Sequence, residues 1–144
     1  MTEPRTADCV LVRTEGALGR LTLNRPEAIN ALDHDMIVQL TAALEAWRHD
    51  TDVQIVLIDG AGERGMCAGG DVRALHSQIV SGRADETVRF FRAEYALNAM
   101  IAEYPKPVVT IADGITMGGG IGLSGHAAIR IVTERSKLAM PETR

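Results

Sequence analysis

The sequence GITMGGGIGLS, residues 114–124, decides how this chain folds and where its chemistry lies. An apolar, β-branched run at residues 107–112 precedes it and predicts a buried strand. Three consecutive glycines followed by small residues indicate a loop that opens a helix, where backbone N–H groups are free and the helix dipole is positive. Such a position suits a developing negative charge. A tight turn, or close packing of a helix on the sheet, explains the same glycines without any chemistry.

A second glycine-rich element, MCAGGDVR, occupies residues 66–73. It also follows an apolar strand, at residues 54–59, and leads into a predicted helix with Asp71 as its N-cap or first-turn acid. Two strand–loop–helix junctions in one small domain could each supply one N–H group to a single oxyanion. Acyl-transfer chemistry requires such a pair of donors.

Length, charge and cysteine content narrow the class of protein. The 144 residues suffice for one domain, and the net charge of −4 without a basic cluster argues against a nucleic-acid surface. A small basic patch can still meet a phosphorylated ligand. No apolar run approaches the ~20 residues of a membrane span, and residues 1–8 lack the apolar segment of a signal peptide. Cys9 and Cys67 show neither disulfide-scaffold density nor metal-site spacing, so we expect a reducing cytoplasm.

Hydrophobic periodicity predicts a layered α/β domain with the element order ββ-α-β-α-α-β-α-β. Asp33 is predicted to cap the first long helix, and Asp85 the third. The predicted strands are residues 9–13, 19–23, 54–59, 107–112 and 128–132, and the predicted helices are residues 32–49, 71–80, 85–103 and about 119–127.

The two loops match a known pattern. CAGGD at residues 67–71 and GGG at residues 118–120 resemble the C-A-G-x-D and G-G-G signatures of the crotonase (enoyl-CoA hydratase/isomerase) superfamily. NRPEAINA at residues 24–31 is similar to a third motif of that superfamily. Residues 115–124 and 138–143 most resemble its 3-hydroxyisobutyryl-CoA hydrolase branch. The resemblance extends over nearly the whole chain.

The resemblance implies a fold and an assembly. Crotonase domains wind ββα units into a spiral of two roughly perpendicular sheets wrapped by helices, and they usually form trimers. Relatives continue for at least as many residues again. We therefore expect residues 1–144 to be the N-terminal portion of an acyl-CoA-binding domain that is truncated here, and a homo-oligomer of the trimer type when completed.

The resemblance also implies residue roles. The oxyanion donors correspond to the N–H groups of Gly70 and Gly119, and the catalytic acid to Glu142. Glu94 corresponds to a glutamate that helps hold the substrate. A solvated surface position explains either glutamate equally simply.

Other residues of the two motifs correspond to the coenzyme A site. Ala68, Gly69, Asp71 and Arg73 lie where relatives line the adenine and pantetheine. Arg25 and Arg73 are candidate phosphate partners because the guanidinium fits phosphate geometry, although exposed arginines are commonly solvated charges.

Gly122 discriminates between reaction classes. Hydratases carry a second catalytic glutamate at the corresponding position, and hydration needs an acid and a base together. The glycine therefore weighs against hydration. The resemblance of residues 115–124 to the hydrolase branch implies hydrolysis of a short branched 3-hydroxyacyl-CoA such as 3-hydroxyisobutyryl-CoA, a step of valine catabolism, with coenzyme A as part of the substrate and no separate cofactor. The alternatives are an enoyl-CoA hydratase or isomerase, and a catalytically inactive binding fragment.

Three other patterns are weaker. GIGLSG at residues 120–125 fits the dinucleotide fingerprint G-x-G-x-x-G. In that fold the strand runs almost directly into the first glycine, whereas residues 114–119 intervene here, so NAD binding is disfavoured. Ser124 falls one residue short of a G-x-S-x-G nucleophile elbow. The histidines have no metal-ligand spacing, so no metal site is predicted.

Overall fold

The computed structural model describes residues 8–143 and shows a layered α/β arrangement, as predicted. Within these residues the strands are β1 (Val10–Glu15), β2 (Leu18–Leu23), β3 (Ile55–Gly60), β4 (Gly65–Cys67), β5 (Val108–Ala112), β6 (Ile115–Met117), β7 (Ile129–Val132) and β8 (Lys137–Ala139). The α-helices are α1 (His34–Trp47), α2 (Val72–Val80), α3 (Ala84–Ala102) and α4 (Gly119–Gly125). Single turns of 3-10 helix cover Pro26–Ala28 and Pro141–Thr143.

The larger sheet has five strands in the order β1-β2-β3-β5-β7. β1 and β2, the first two predicted strands, form an antiparallel hairpin with Val10 opposite Leu23. The later pairings, β2 with β3, β3 with β5 and β5 with β7, are all parallel. Parallel neighbours need long crossover connections, which helices usually supply. The alternation of strand and helix patterns in the sequence therefore predicted this sheet correctly.

The smaller sheet has the parallel order β4-β6-β8. The family resemblance implied a second sheet, but the sequence pattern did not predict these three strands. The sequence analysis assigned the residues of β4 and β6 to the glycine loops. Each of the three strands has only three residues, too few to show a period of two, and their partners lie far away in the sequence. Both glycine loops leave adjacent parallel strands, so they emerge at the same edge of this sheet.

Helix α1 supplies much of the aliphatic core. The carboxyl of Asp33 accepts a hydrogen bond from the Met36 N–H at 2.9 Å, which confirms the predicted N-cap. The helix packs against α3, β1 and β2. Its buried face comprises Met36, Ile37, Leu40, Ala43, Leu44 and Trp47.

Helix α2 begins as predicted and α3 does not. The Asp71 carboxyl accepts a hydrogen bond from the Ala74 N–H at 3.1 Å and so caps α2. The N-cap of α3 is Arg83, which makes no side-chain capping bond, so the prediction that Asp85 caps this helix was wrong. Asp85 lies in the first turn, where a carboxylate also interacts favourably with the helix dipole. An acid at either position gives the same pattern in the sequence.

Asn30 holds the loop between β2 and α1. It is completely buried and has a φ of +55°, in the left-handed region that most residues avoid. Its side-chain oxygen accepts from the Arg25 N–H at 2.8 Å. Its amide nitrogen donates to the carbonyls of Ala61 and Gly65, at 2.9 and 3.2 Å. One side chain therefore fastens this loop to the loop between β3 and β4.

We expect Asn30→Ala to lower the free energy of unfolding by about 2–4 kcal/mol, because it strands buried backbone groups and keeps a side chain at positive φ. Asn30→Gly should cost about 1 kcal/mol less, since glycine adopts that backbone without strain. Urea denaturation of both variants measures the difference. Asn24→Ala is the matched control, because the Asn24 side-chain amide donates to the exposed Asp8 carbonyl and to no other described residue. Equal stabilities of Asn30→Ala and wild type would contradict the prediction.

Candidate active site

The two glycine loops approach each other so closely that side chains are excluded between them. Gly69 has a φ of +113°, and a Cβ there would lie 3.2 Å from the Met117 carbonyl oxygen. A Cβ on Gly120 would lie 2.5 Å from the Cys67 carbonyl oxygen, closer than side-chain atoms approach backbone. Glycine is therefore a geometric requirement where the loops meet.

The residues predicted to donate to an oxyanion lie side by side. A Cβ on Gly119 would be 3.5 Å from the Gly70 nitrogen. The Leu32 N–H donates to the Gly69 carbonyl, and the Asp71 N–H donates to the Leu32 carbonyl, both at 2.7 Å, so this bridge does not use the Gly70 N–H. Gly119 begins α4, where the N–H groups of the first turn have no intrahelical carbonyl partner. The structure brings these two residues together, and their role stays a prediction.

A cleft of about 820 Å³ opens beside the loops. Gly70 and Gly119 line it together with Ala68 and Gly69 of the first motif. Helix α3 contributes Glu94, and residues from the other loop, α4 and the Pro141–Thr143 turn complete the lining. A cleft of this size can hold a small acyl group together with part of the carrier molecule to which the acyl group is attached.

Two carboxyl groups line the cleft within the described residues, Glu94 and Glu142. Glu94 is only 6% exposed, and burial raises the pKa of its carboxyl above the usual value. Glu142 lies on the single turn Pro141–Thr143 and is exposed. The two acids predicted from the sequence therefore meet at one cleft, one buried and the other open to solvent.

Burial also affects Cys67, which ends β4 beside the cleft. It raises the pKa of the thiol to about 12, with a smaller contribution from the nearby Glu94 carboxylate. A thiol with this pKa is protonated at neutral pH and is a poor nucleophile. Cys67 therefore acts as a small packing residue against Gly120.

Gly122 faces Asn98 and not an acid. A Cβ on Gly122 would lie 2.6 Å from the Asn98 amide nitrogen and 3.0 Å from its oxygen. Both residues line the cleft. The space that a side chain at position 122 would need is therefore filled by a neutral amide from α3.

The structure places the predicted phosphate partners away from the cleft lining. The Arg25 guanidinium donates to Asp71 at 3.1 Å and to the Ala31 carbonyl at 2.7 Å, and lies 3.6 Å from Asp33. Asp71 and Asp33 are the N-caps of α2 and α1, so Arg25 joins the starts of two helices. Arg73 is exposed on α2. A phosphate role for either arginine stays a prediction.

Sequence analysis missed several residues of the cleft. Phe91, Tyr95 and Asn98 line it from α3, and Met140 lines it beside the Pro141–Thr143 turn. Phe91 and Tyr95 form an aromatic pair with ring centroids 6.0 Å apart. The spacing of Phe91 and Asn98 from Glu94 was the available signal, since residues three or four positions apart share a helix face.

The structure also shows where the residues of the dinucleotide-type and nucleophile-elbow patterns lie. The glycines of the dinucleotide-type pattern, residues 120–125, lie inside α4 and not in a turn between a strand and a helix. The Ser124 hydroxyl is fully buried and donates to the Gly120 carbonyl at 2.8 Å. In the part of the chain that the structure describes, no three His, Cys, Asp or Glu side chains are grouped as metal ligands. None of the helices α1–α4 combines the length and apolar character needed to cross a bilayer.

Paired glycine loops on a parallel α/β scaffold, beside a cleft with two carboxyl groups, define the crotonase class of fold. The sequence matches the family model described as enoyl-CoA hydratase/isomerase over residues 18–144. The chain belongs to the enoyl-CoA hydratase/isomerase family, which confirms the resemblance inferred from its motifs.

Relatives and solved structures support this assignment. The chain is 49% identical over 134 residues to mouse mitochondrial 3-hydroxyisobutyryl-CoA hydrolase, covering 93% of this chain and 34% of that protein. It is 43% identical over 137 residues to the human mitochondrial enzyme of the same name, covering 95% of this chain and 35% of that protein. The chain thus spans about a third of the length of these curated relatives.

Two bacterial crystal structures share the fold. A carnitinyl-CoA dehydratase from Mycobacterium thermoresistibile superposes with a TM-score of 0.90 at 53% identity, covering 94% of this chain and 40% of that one. An enoyl-CoA hydratase from Rhodobacter sphaeroides gives a TM-score of 0.91 at 47% identity, with the same coverage of 94% and 40%. The predicted crotonase-like fold is therefore confirmed.

The raised pKa of Glu94 predicts a pH-dependent change in stability. The stabilising contribution of a carboxyl whose pKa rises on folding is complete below its unfolded pKa of about 4.5, and it is lost as the pH rises through the folded value. We therefore expect Glu94→Gln to be more stable than wild type at pH 7, with an advantage that shrinks toward pH 4. Urea denaturation across this range measures the trend.

Glu86→Gln is the control for this measurement, since Glu86 lies on the same helix in an exposed ion pair with Arg83. Its stability should stay within about 0.5 kcal/mol of wild type. A Glu94→Gln variant less stable than wild type at pH 7 would show that a contact stabilises the Glu94 carboxylate.

Proposed function

We propose that the protein is an acyl-CoA thioester hydrolase acting on a short branched 3-hydroxyacyl-CoA such as 3-hydroxyisobutyryl-CoA. The observation that carries the proposal is the pairing of Gly122 with the Asn98 amide. No acid occupies the position where a hydratase would hold its second glutamate. The names of the mouse and human relatives agree with this reaction class.

The proposed reaction replaces the C–S bond of the thioester with a C–O bond. The electron pair displaced from the carbonyl group in the attack collects on its oxygen, and the N–H groups of Gly70 and Gly119 stabilise that charge. Collapse of the adduct expels the coenzyme A thiolate, which takes up a proton. Each well-placed donor contributes about 10²–10³-fold to such a reaction.

Glu142 is proposed to begin the attack, either as the nucleophile or as the base that removes a proton from water. Its exposed position leaves room for water beside the cleft. As the nucleophile, Glu142 forms a mixed anhydride when the thiolate leaves; water then cleaves the anhydride, which restores the carboxylate and supplies the proton for the thiolate. As the base, Glu142 returns to the leaving sulfur the proton that it took from water. Glu94, buried and raised in pKa, is proposed to hold the substrate.

The first glycine motif is proposed to receive the coenzyme A part of the substrate. Ala68 and Gly69 line the cleft beside Gly70, one of the two proposed oxyanion donors. Helix α2 begins shortly after them, with Asp71 as its N-cap. Asp71 and Arg73 are proposed to contact the adenine or pantetheine from the start of this helix. Coenzyme A is then part of the substrate, and the reaction needs no separate cofactor or metal.

Two further expectations remain predictions. Assembly into a homo-oligomer of the trimer type follows from family resemblance alone. The cytoplasmic compartment was predicted from the sequence, whereas the names of the animal relatives place those proteins in mitochondria.

Hydration or isomerisation of an enoyl-CoA is the second candidate. It is favoured by the presence of two carboxyl groups at the cleft, Glu94 and Glu142, because hydration needs an acid and a base. The names of the two bacterial structures, a dehydratase and a hydratase, also point in this direction. A domain that binds acyl-CoA without turning it over is the remaining alternative.

The protein in its natural length should release free thiol from 3-hydroxyisobutyryl-CoA. Glu142→Gln should lower kcat by about 10²–10⁴-fold, because the amide keeps the shape of the side chain and loses its basicity. KM should stay within a few-fold of wild type. Steady-state thiol release measures both constants.

Glu134→Gln is the matched control, since Glu134 is exposed and does not line the cleft, and it should retain wild-type turnover. Crotonyl-CoA supplies the competing assay, in which loss of the conjugated double bond is followed. Fast hydration without thiol release would replace the hydrolase assignment with the second candidate. An active Glu142→Gln variant would show that another group starts the attack.

Binding should distinguish acyl-CoA from a dinucleotide. We expect saturable calorimetric binding of isobutyryl-CoA and no response to NAD, because the glycines of the fingerprint-like pattern lie within α4. Saturable NAD binding without a response to the thioester would overturn this expectation and the proposed function with it.

A further inference from the structure

Asn98 occupies a position from which it can contact the acyl group. It lies one helical turn after Glu94 on α3, and residues at this spacing share a helix face. Both side chains line the cleft. The Asn98 amide packs against Gly122, three residues after Gly119 in α4.

The Asn98 amide has an unused acceptor. Its Oδ1 atom is buried and accepts no hydrogen bond from the described residues. A buried polar atom without a partner is costly, and native structures rarely keep one without a reason. The amide oxygen and nitrogen exchange places by a half-turn of the terminal torsion, so either end of the amide can be turned toward the cleft.

The chemistry of this acceptor restricts its partner. An acceptor needs a donor, and the carbonyl and sulfur of a thioester have no hydrogen to donate. In a 3-hydroxyacyl group the hydroxyl is the group that has one. The hydroxyl can also accept a hydrogen bond from the Nδ2 end of an amide. One asparagine side chain can therefore pair with the hydroxyl either as donor or as acceptor.

We infer that Asn98 binds the hydroxyl of the acyl group and so determines the selectivity for hydroxylated over unhydroxylated acyl-CoA. The inference rests on the proposed function and names the residue that recognises its substrate class. This role of Asn98 also depends on Gly122, because any side chain at position 122 would displace the Asn98 amide.

The experiment compares kcat/KM for 3-hydroxyisobutyryl-CoA and isobutyryl-CoA, which differ by the hydroxyl alone. Wild type should prefer the hydroxylated thioester. Asn98→Leu, similar in size and without polar atoms, should lower kcat/KM for that substrate about 10- to 100-fold. It should leave isobutyryl-CoA within about twofold, so the selectivity collapses. Gly122→Ala should reduce the selectivity in the same direction by displacing the amide.

Leu97→Ala is the matched control. Leu97 precedes Asn98, is 1% exposed in the core and does not line the cleft, so its loss tests for general damage to α3. It should change kcat/KM for both substrates in parallel. Asn98→Asp, which keeps an acceptor at the same place, should retain more of the selectivity than Asn98→Leu.

The outcomes separate this inference from the proposed function. Equal losses on both thioesters in Asn98→Leu, or no loss on either, would overturn the role of Asn98 while leaving a working hydrolase. Absence of thiol release from both substrates in the wild-type protein would overturn the proposed function itself, and the inference with it.

Discussion

The site depends on the backbone hydrogen bonds that join residues 29–32 to residues 68–71. Leu32 donates to the carbonyl of Gly69 and accepts from the N–H of Asp71, both at 2.7 Å. In a strand-like bridge of this kind successive N–H groups point in opposite directions, so the glycine between these two turns its own N–H away. The bonds to this segment are thus made by Gly69 and Asp71 on either side of Gly70, and the Gly70 nitrogen would lie 3.5 Å from a Cβ on Gly119 of the second loop. Burial of the segment itself makes this arrangement rigid, since Leu32 is completely inaccessible to solvent.

Close backbone contact with the first glycine loop also fixes the position of the second glycine loop. The Cys67 carbonyl and the Gly120 backbone approach so closely that a Cβ would be 2.5 Å from the oxygen. Neighbouring parallel strands, β4 and β6, set the spacing of the two loops, and Arg25 joins the caps of α1 and α2 on the other side of the first loop. Preorganised donors need no rearrangement when charge develops. The small sheet, although only three residues long per strand, is therefore the element that brings the two motifs together.

Most of the large sheet and its helices could be predicted from the sequence because their patterns are long enough to show a period. The buried stripe of α1 and the caps at Asp33 and Asp71 are examples, since each depends on residues within one or two helical turns. The pairing of β4 with β6 could not be predicted in this way, because the two strands lie about fifty residues apart and carry no pattern of their own. The same limit applies to the cleft. Glu94 was recognised by its motif, whereas Asn98 and the ion pairs of Arg25 required knowledge of which faces meet.

Under the proposed function, the contact between Gly122 and Asn98 accounts for a change of reaction with little change elsewhere in the fold. A carboxylate at position 122 and an amide at position 98 would compete for the same space, so the first excludes the second. An acid there would add a charge to a cleft where the Glu94 carboxyl is already destabilised by burial, and two like charges in such a place raise each other's pKa further. A neutral amide avoids that cost and supplies both a donor and an acceptor. The absence of a side chain at position 122 of α4 thus leaves room for the Asn98 amide of α3. Under the proposed function, packing at this single glycine would decide between proton transfer and recognition of the acyl hydroxyl.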